Sequence, residues 1–449
     1  MKKLRYSWHF KKNLNLAYPV MLSQLGHVVV GLADSIMVGQ VGTIPLAGAS
    51  FANAMFYFPL MFGIGVTYGI TPHVATADGK SDQKGAAEYL KHGMIISLIL
   101  GILLILAVYV FSKNVQILDQ PKVVLDQGIP YLLILAVSIL PVLIFQTFRQ
   151  FAEGLSFTKL VMTVAIGSNV LNIVFNYILI FGKLGFEPMG LLGAGYATLL
   201  ARIIMAVWIA FLILKGKRFQ QYWDNVELKV FDFKRIKEIL NVGVPAGLQF
   251  VFEVGAFSFT AIMVGWIGAP QLAAHQIAMN LSSLTYMAAS GIAAAATIRV
   301  GNQFGRKDIQ TLREAGFTSF ITVILFMTAA GLIFIIGRKL LPSFYVDDEA
   351  VITVASSLMI VAALFQLSDG IQVVGLGALR GIKDVKIPTI YAFIAYWLLG
   401  LPIGYLLGFK AELGAQGVWL GLLTGLSISA LLNGIRFNKL SKKLIFNEW

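Results

Sequence analysis

Long apolar runs alternate with short polar segments along the whole chain of 449 residues. A helix needs about 20 consecutive apolar residues to cross the hydrocarbon core of a bilayer. Twelve stretches satisfy this length, so the pattern predicts an all-α integral membrane protein with twelve transmembrane helices. The predicted helices cover about residues 14–38, 46–75, 89–112, 127–152, 160–182, 190–214, 237–265, 271–298, 313–337, 351–379, 387–408 and 414–435.

The two halves of the chain repeat each other at a constant offset of 226 residues. A fixed offset that includes Pro, Asp and Glu is uncommon by chance in an apolar sequence. The matching pairs include Pro19 with Pro245, Gly39 with Gly265, Asp82 with Asp308 and Glu88 with Glu314, and then, at offset 227, Gly154 with Gly381. The repeat predicts two pseudo-symmetric six-helix lobes, as in transporters whose halves are related by an axis along the membrane normal.

The longest polar connection lies at the midpoint and divides the chain. It predicts an N-terminal lobe over 1–214, a linker over 215–236 along the cytoplasmic face, and a C-terminal lobe over 237–449. With the amino terminus placed inside, 28 of the 35 Lys and Arg residues fall in inside segments and 6 in outside loops. The positive-inside rule therefore predicts that both termini are cytoplasmic, in a bacterial inner membrane.

Composition agrees with a membrane protein: 57% of the residues are hydrophobic and 13% are charged, against roughly 25% charged in soluble domains. The net charge of +13 is explained by the cytoplasmic loops, so no nucleic-acid partner is expected. The first apolar stretch is too long for the core of a signal peptide and is expected to be a spanning helix. A single chain holds both lobes, so a monomer suffices.

Three carboxylates fall inside predicted spanning helices, where a charge costs roughly 2.5–3.5 kcal/mol on insertion scales. They are Asp34 in the first helix, Glu253 in the seventh and Asp369 in the tenth. Such groups are candidates for binding Na⁺ or for exchanging a proton, and a structural hydrogen bond is the alternative. His27 matches Glu253 across the repeat and is a candidate proton carrier, or simply a solvated histidine.

Neutral polar side chains follow helical spacing near these acids. Asn172 and Asn176 lie four residues apart and share one face of a helix, as do Thr198 and Arg202. Arg202 is expected either to extend toward the membrane surface or to pair with an acid of the N-terminal lobe.

The sequence lacks the signature motifs of several classes of protein. The chain contains no G-x-x-x-x-G-K-[ST], H-E-x-x-H or G-x-S-x-G motif and no cysteine. We therefore expect no ATPase of its own, no enzymatic activity and no cofactor.

Four segments resemble the multidrug and toxic compound extrusion (MATE) family, in its NorM-like branch. They are YPVMLSQLGHVVVGLADSIMVGQVG (18–42), LAAHQIAMNLSSLTYM (272–287), ATIRVGNQFG (296–305) and DGIQVVGLGALRGIKD (369–384). The similarity extends over essentially the whole chain. It implies twelve helices in two lobes and the export of cationic, amphipathic drugs, driven by entry of Na⁺ or H⁺.

The resemblance also implies roles for individual residues. Acids that match Glu253 and Asp369 bind the cation in similar proteins, and a polar cluster matching Asp34, Asn172, Asn176 and Thr198 serves the N-terminal lobe. Many members of this branch carry a tyrosine four residues before the aspartate of the tenth helix, where this chain has Phe365. Gln249, one turn before Glu253, is the expected substitute oxygen for a Na⁺ site.

Two alternatives remain beside a cation-coupled drug exporter. A flippase for lipid-linked precursors shares the general architecture, but its cavity would carry several Arg or Lys for a pyrophosphate, and only Arg202 points that way. A channel or a membrane-embedded enzyme would show a pore-lining ring or a catalytic constellation, and the sequence contains neither.

Overall fold

The structure is a computed structural model that describes residues 2–223 and 231–446. Within these ranges the chain is helical and contains no strand, and twelve helices are long and apolar enough to cross a membrane. The predicted fold class is confirmed. The helices are α1 Lys2–Val41, α2 Thr43–Gly79, α3 Gln83–Lys113, α4 Lys122–Gly154, α5 Thr158–Phe181, α6 Gly190–Lys215, α7 Phe233–Ile267, α8 Ala269–Gly305, α9 Ile309–Ile336, α10 Glu349–Gly381, α11 Lys386–Lys410 and α12 Gly414–Phe446.

Three of the long helices are irregular. The α-helical hydrogen bonding of α2 is interrupted at Tyr68 and Gly69, and that of α4 at Ser138. Two wider, π-helical segments occur in α11, at Ile394–Gly400 and Leu406–Lys410. Helices interrupted in this way are tolerated in membranes when neighbouring groups bond the released backbone atoms.

The observed helices extend beyond the apolar stretches that predict them. For example, α3 begins at Gln83, before the predicted stretch 89–112, because Asp82 caps its first turn by accepting from the Gly85 backbone N at 2.8 Å. Asp308 caps α9 in the same way, accepting from the Thr311 backbone N at 3.0 Å. Hydropathy reports only the part of a helix suited to hydrocarbon, whereas capping side chains decide where the helix begins.

The repeat predicted from the sequence recurs in the packing. A Cβ atom added to Gly154 would lie 2.8 Å from the Cβ of Val74, so α4 and α2 approach closely there. A Cβ atom added to Gly381 would lie 2.8 Å from the Cβ of Val300, which brings α10 and α8 together in the same way. Small residues allow such close approach between membrane helices.

The chain forms two compact units. Unit 2 is Leu22–Gly247, and unit 1 comprises the described residues of Met1–Met21 and of Leu248–Trp449. These boundaries differ from the predicted lobes, because the first part of α1 belongs with the C-terminal half and the first part of α7 with the N-terminal half.

Specific contacts explain both assignments. In unit 1 the buried Arg299 donates from NH1 to the backbone oxygen of His9 at 3.0 Å. In unit 2 the Tyr89 hydroxyl donates to Oε2 of Glu238 at 2.6 Å.

The predicted linker 215–236 is only partly described, since residues 224–230 lie outside the described residues. Its first part folds back on unit 2 through two short turns, Lys217–Phe219 and Gln220–Trp223. Phe219 is fully buried there, and Trp223 Nε1 donates to the Ile213 oxygen at 3.2 Å.

Candidate functional site

Glu253 on α7 and Asp369 on α10 are both buried inside unit 1. Each is 8% exposed, and the two carboxyl groups interact electrostatically. Arg380 also interacts electrostatically with Glu253, but no ion pair to Glu253 or Asp369 is formed among the described residues. The structure therefore brings together the two acids that the sequence singled out, and it leaves them without a paired base.

Neutral amides surround Glu253. Its Oε1 accepts from Gln249 Nε2 at 3.2 Å and from Gln372 Nε2 at 2.8 Å. Gln372 in turn accepts at Oε1 from the Tyr396 hydroxyl, at 2.8 Å. The Oε1 atom of Gln249 is buried and has no hydrogen-bond partner among the described residues. Gln249 thus uses its amide nitrogen on the acid, while its buried oxygen has no partner among the described residues.

Phe365 lies within an aromatic cluster of unit 1. Its ring centre is 5.5 Å from that of Trp419 and 6.1 Å from that of Phe257, and the side chain is buried. The hydroxyl that enters the acidic network belongs instead to Tyr396 of α11.

Sequence reasoning missed Gln372 and Tyr396. Gln372 follows Asp369 by three residues and so shares its helix face, a signal that could have been used. No sequence signal pointed to Tyr396.

A second site in unit 2 contains Asp34 and the predicted asparagines. Asn176 Nδ2 donates to Asp34 Oδ1 and, at 3.2 Å, to Asn172 Oδ1. Asn172 Nδ2 donates to Thr198 Oγ1 at 3.4 Å. Hydrogen bonds donated by neutral side chains thus connect α1, α5 and α6 at the Asp34 carboxylate. The two asparagines and Thr198 are buried, whereas Asp34 is partly exposed.

Arg202 of α6 lies near Asp34 without pairing with it. The two groups interact electrostatically, but Arg202 NH1 donates to Ser138 Oγ at 2.5 Å. Its guanidinium carbon lies 5.2 Å from the ring centre of Phe56. Among the described residues, the ion pair expected between this arginine and an acid of the N-terminal lobe does not form; Arg202 is bonded to Ser138 instead.

His27 does not join either network. Its side chain is exposed, and it takes no part in the described hydrogen bonds of Asp34. Its repeat partner Glu253 is buried and hydrogen-bonded. The two positions match in sequence, but their surroundings differ.

The chemistry of the two sites follows from their charges. Buried carboxylates with neutral donors and open oxygens attract a cation or a proton, because an unpaired buried charge is costly. Glu253, Asp369 and the unpartnered oxygen of Gln249 are the kind of oxygen donors that hard cations prefer. Among the described residues no group of three or more His, Cys, Asp or Glu side chains is arranged to hold a metal ion.

Comparison with known proteins identifies the family. The chain matches the MatE family over residues 19–178 and 245–406, which reproduces the two halves of the repeat. It is 33% identical over 444 residues to the multidrug resistance protein MdtK of Yersinia pseudotuberculosis, covering 98% of this chain and 97% of the relative. It is 32% identical over 440 residues to the multidrug resistance protein NorM of Photobacterium profundum, covering 96% and 95%.

Solved structures share the fold. An outward-facing multidrug resistance MATE family transporter of the MOP superfamily superposes with a TM-score of 0.89, at 21% identity, over 98% of this chain and 97% of the other. The eukaryotic MATE transporter AtDTX14 superposes with a TM-score of 0.86, at 19% identity, over 98% of each chain. This protein therefore belongs to the MatE family of multidrug efflux transporters, which are multi-pass membrane transporters and not enzymes.

Proposed function

We propose that this protein is a secondary active exporter of small organic cations, coupled by antiport to the entry of Na⁺ or H⁺. The observation that supports the proposal most directly is the unpaired couple of buried acids, Glu253 and Asp369, inside unit 1. Relatives named as multidrug resistance proteins support the class of cargo. The 28 basic residues in inside segments support an inner-membrane protein with both termini cytoplasmic.

Coupling arises from competition for one set of negative charges. A coupling ion that binds at Glu253 and Asp369 lowers the negative charge of the site by one, and a monovalent organic cation that binds there does the same. Because both ligands compete for the same negative charge, simultaneous binding is unnecessary, and binding of one favours release of the other. Alternating access then carries the ion inward and the drug outward.

The coupling ion has two possible places. The acidic site of unit 1 offers oxygen ligands from Glu253, Asp369 and Gln249, which suits Na⁺ or a proton. The site in unit 2 contains one carboxylate, that of Asp34, which accepts from the amide of Asn176. A site with a single acid and an amide donor suits a proton better than a metal ion. We propose that one chain suffices for transport and that no cofactor takes part, since the ion gradient supplies the energy.

The test is efflux of ethidium from cells that lack other drug pumps, with the Na⁺ gradient and the pH gradient varied separately. We expect efflux to require one of the two gradients, and Glu253→Gln and Asp369→Asn each to reduce the rate at least about tenfold, because each removes a full charge from the buried site. Asp126→Asn is the matched control, since this aspartate is exposed at the start of α4, and its efflux should equal that of the unmodified chain.

Efflux that requires Na⁺ at constant pH would assign the ion to the unit 1 acids. Efflux that follows only the pH gradient and is lost in Asp34→Asn would assign the proton to unit 2. Normal efflux by well-folded Glu253→Gln and Asp369→Asn variants would overturn the proposed coupling. The absence of any efflux under either gradient would overturn drug export itself.

A further inference from the structure

His92 on α3 is fully buried, and both of its ring nitrogens are bonded to backbone groups. Nε2 accepts from the backbone N–H of Asp232 at 2.9 Å. Nδ1 lies 2.8 Å from the backbone oxygen of Glu88 and donates to it. Because a backbone N–H can only donate and a backbone oxygen can only accept, these two partners define the state of the ring, which is neutral and carries its proton on Nδ1.

Asp232 is the residue that caps the start of α7. Its Oδ1 accepts from the Lys234 backbone N at 2.9 Å, and its backbone oxygen accepts from the Ile236 backbone N at 3.4 Å, as expected of an N-cap. The bond from its own N–H to His92 therefore fastens the N-terminus of α7 to α3 inside unit 2. The ring of Phe231 adds an aromatic contact, with its centre 5.9 Å from that of the imidazole.

The charged and titratable groups around this contact come from α2, α3 and the start of α7. On α3, Oε2 of Glu88 lies 3.5 Å from Nδ1, and Lys91 Nζ lies 2.7 Å from the same oxygen, so these two charges largely offset each other beside the ring. The remaining groups bond to one another and not to the imidazole: Asp232 with Arg235, Tyr89 with Glu238, and His73 with the Glu238 backbone oxygen. Among the described residues, no carboxylate is bonded to Nε2.

Protonation of His92 would break its bond to Asp232. A protonated imidazole donates from both nitrogens, so its Nε2–H and the Asp232 N–H would face each other as two donors. The bond to the Glu88 oxygen survives in either state, because Nδ1 donates in both. The fastening of α7 is therefore present in the neutral ring and is lost as the pH falls through the range, about 8 to 5, in which a histidine changes its charge.

We propose that His92 is a positioning residue for α7, and that acid on the cytoplasmic side releases the start of this helix. The helix continues from unit 2 into unit 1, where it carries Glu253. Release of its N-terminus should therefore slow the exchange of ion and drug at Glu253. The proposal rests on the proposed export function and adds its regulation, because acidification of the cytoplasm by entering protons would then limit further entry.

The first measurement is hydrogen exchange of the full-length protein in lipid nanodiscs at about pH 7.5 and about pH 5.5, on either side of the ordinary histidine titration. Rates are corrected for the intrinsic effect of pH. In the unmodified chain, protection of the Asp232 amide and of the first turn of α7 should fall roughly tenfold at the lower pH, the change expected for one hydrogen bond. His92→Gln keeps an acceptor oxygen and does not titrate, so its protection should be the same at both pH values. His92→Leu has no acceptor, and its protection should be low at both.

His27→Gln is the matched control for exchange, since this histidine of unit 2 is exposed, and it should leave the pH response of the α7 amides unchanged. The second measurement is ethidium transport in inside-out vesicles, in which the medium sets the pH of the cytoplasmic side. His92→Gln and the unmodified chain should transport equally at about pH 7.5, and at about pH 5.5 the variant should be several-fold faster. Both proteins experience the same gradients, so the ratio of their rates does not depend on the driving force.

Each contrary outcome removes a definite part of the proposal. Protection that does not change with pH, or that rises in acid, would show that protonated His92 does not release α7. An equal pH response in His92→Gln would show that another group titrates. Equal transport ratios at both pH values would overturn the regulation, even if the exchange data are as expected. If the unmodified chain transports no ethidium, the export function fails, whereas the exchange experiment still decides whether His92 holds α7.

Discussion

Gln372 on α10 donates a hydrogen bond of 2.8 Å from Nε2 to Oε1 of Glu253 on α7. The same side chain accepts from the hydroxyl of Tyr396 on α11. One amide thus joins three helices at the acidic site, and both of its polar ends are used. Because these groups are buried, each would be left without a partner if the amide were removed.

Gln372→Leu should destabilise the protein more than any equivalent change on the same helix face. Loss of the amide leaves Glu253 one donor short and the Tyr396 hydroxyl unpaired, which costs about 1–3 kcal/mol of unfolding free energy for each stranded group. The measurement is the melting temperature of the purified protein in detergent.

Gln366→Leu is the control for this prediction. Gln366 is also fully buried on α10, but neither its Nε2 nor its Oε1 has a hydrogen-bond partner among the described residues. Leucine has a similar size, so the melting temperature should stay the same or rise. Equal losses in the two variants would show that the Gln372 network does not stabilise the fold.

Gly154→Ala and Gly381→Ala should each destabilise the unit that contains them. The new methyl group would lie 2.8 Å from the Cβ of Val74 or of Val300, and neither helix pair can relax without moving backbone atoms. Overpacking of this kind costs about 1–3 kcal/mol. Gly434→Ala, in α12, meets nothing within 4 Å and should be neutral or slightly stabilising.

Thermal unfolding of the three alanine variants, measured side by side, checks this prediction. Similar losses for Gly154→Ala and Gly381→Ala would be expected of equivalent positions in a repeat. If a variant at either position has the same melting temperature as the unmodified chain, the helices separate there without cost.

Arg299→Ala should loosen the first part of α1. Arg299 is buried and holds His9 through its backbone oxygen and, at 2.6 Å, through the ring Nδ1, and it also donates to the side chain of Asn13. Loss of these contacts should raise hydrogen exchange of the backbone amides around Asn13 at least roughly tenfold.

Arg306→Ala is the control for that experiment. Arg306 has an exposed side chain at the end of the same helix, so exchange around Asn13 should remain as in the unmodified chain. Unchanged exchange in Arg299→Ala would contradict the assignment of the first part of α1 to unit 1.

The effects of Asp34→Asn and Asn176→Leu on the transport rate should not be additive. Asn176 donates directly to Asp34, so each change removes the same charge-assisted hydrogen bond, because an amide oxygen at position 34 carries no charge. If both residues serve norfloxacin export together, the double variant should be no slower than the slower single variant, because effects within one network are not additive. Val174→Leu, an exposed position on the same helix, should not change the rate. A double variant whose loss equals the product of the two single losses would show that the residues act separately.

The number of helices, the repeat and the three acids within apolar stretches could be predicted from the sequence alone. These features depend on quantities that can be read along one dimension: the length of an apolar stretch, a constant offset, and the cost of a charge in hydrocarbon. The helix boundaries were less accurate, because caps such as Asp82 extend helices into polar segments.

The polar groups that complete the sites, and the unit that each helix end joins, depend instead on how the helices pack. Gln372 lies 119 residues from Glu253 and 24 from Tyr396, so their contact depends on how three helices cross and in which register. The exchange of the first parts of α1 and α7 rests on contacts of Arg299 and Glu238 that no local pattern encodes. The spacing of Asn172 and Asn176 indicated a shared face, but only the packing of α1 against α5 placed Asp34 on it. Likewise, charge alone predicted that Arg202 could pair with an acid, whereas in the structure its hydrogen-bond partner is Ser138.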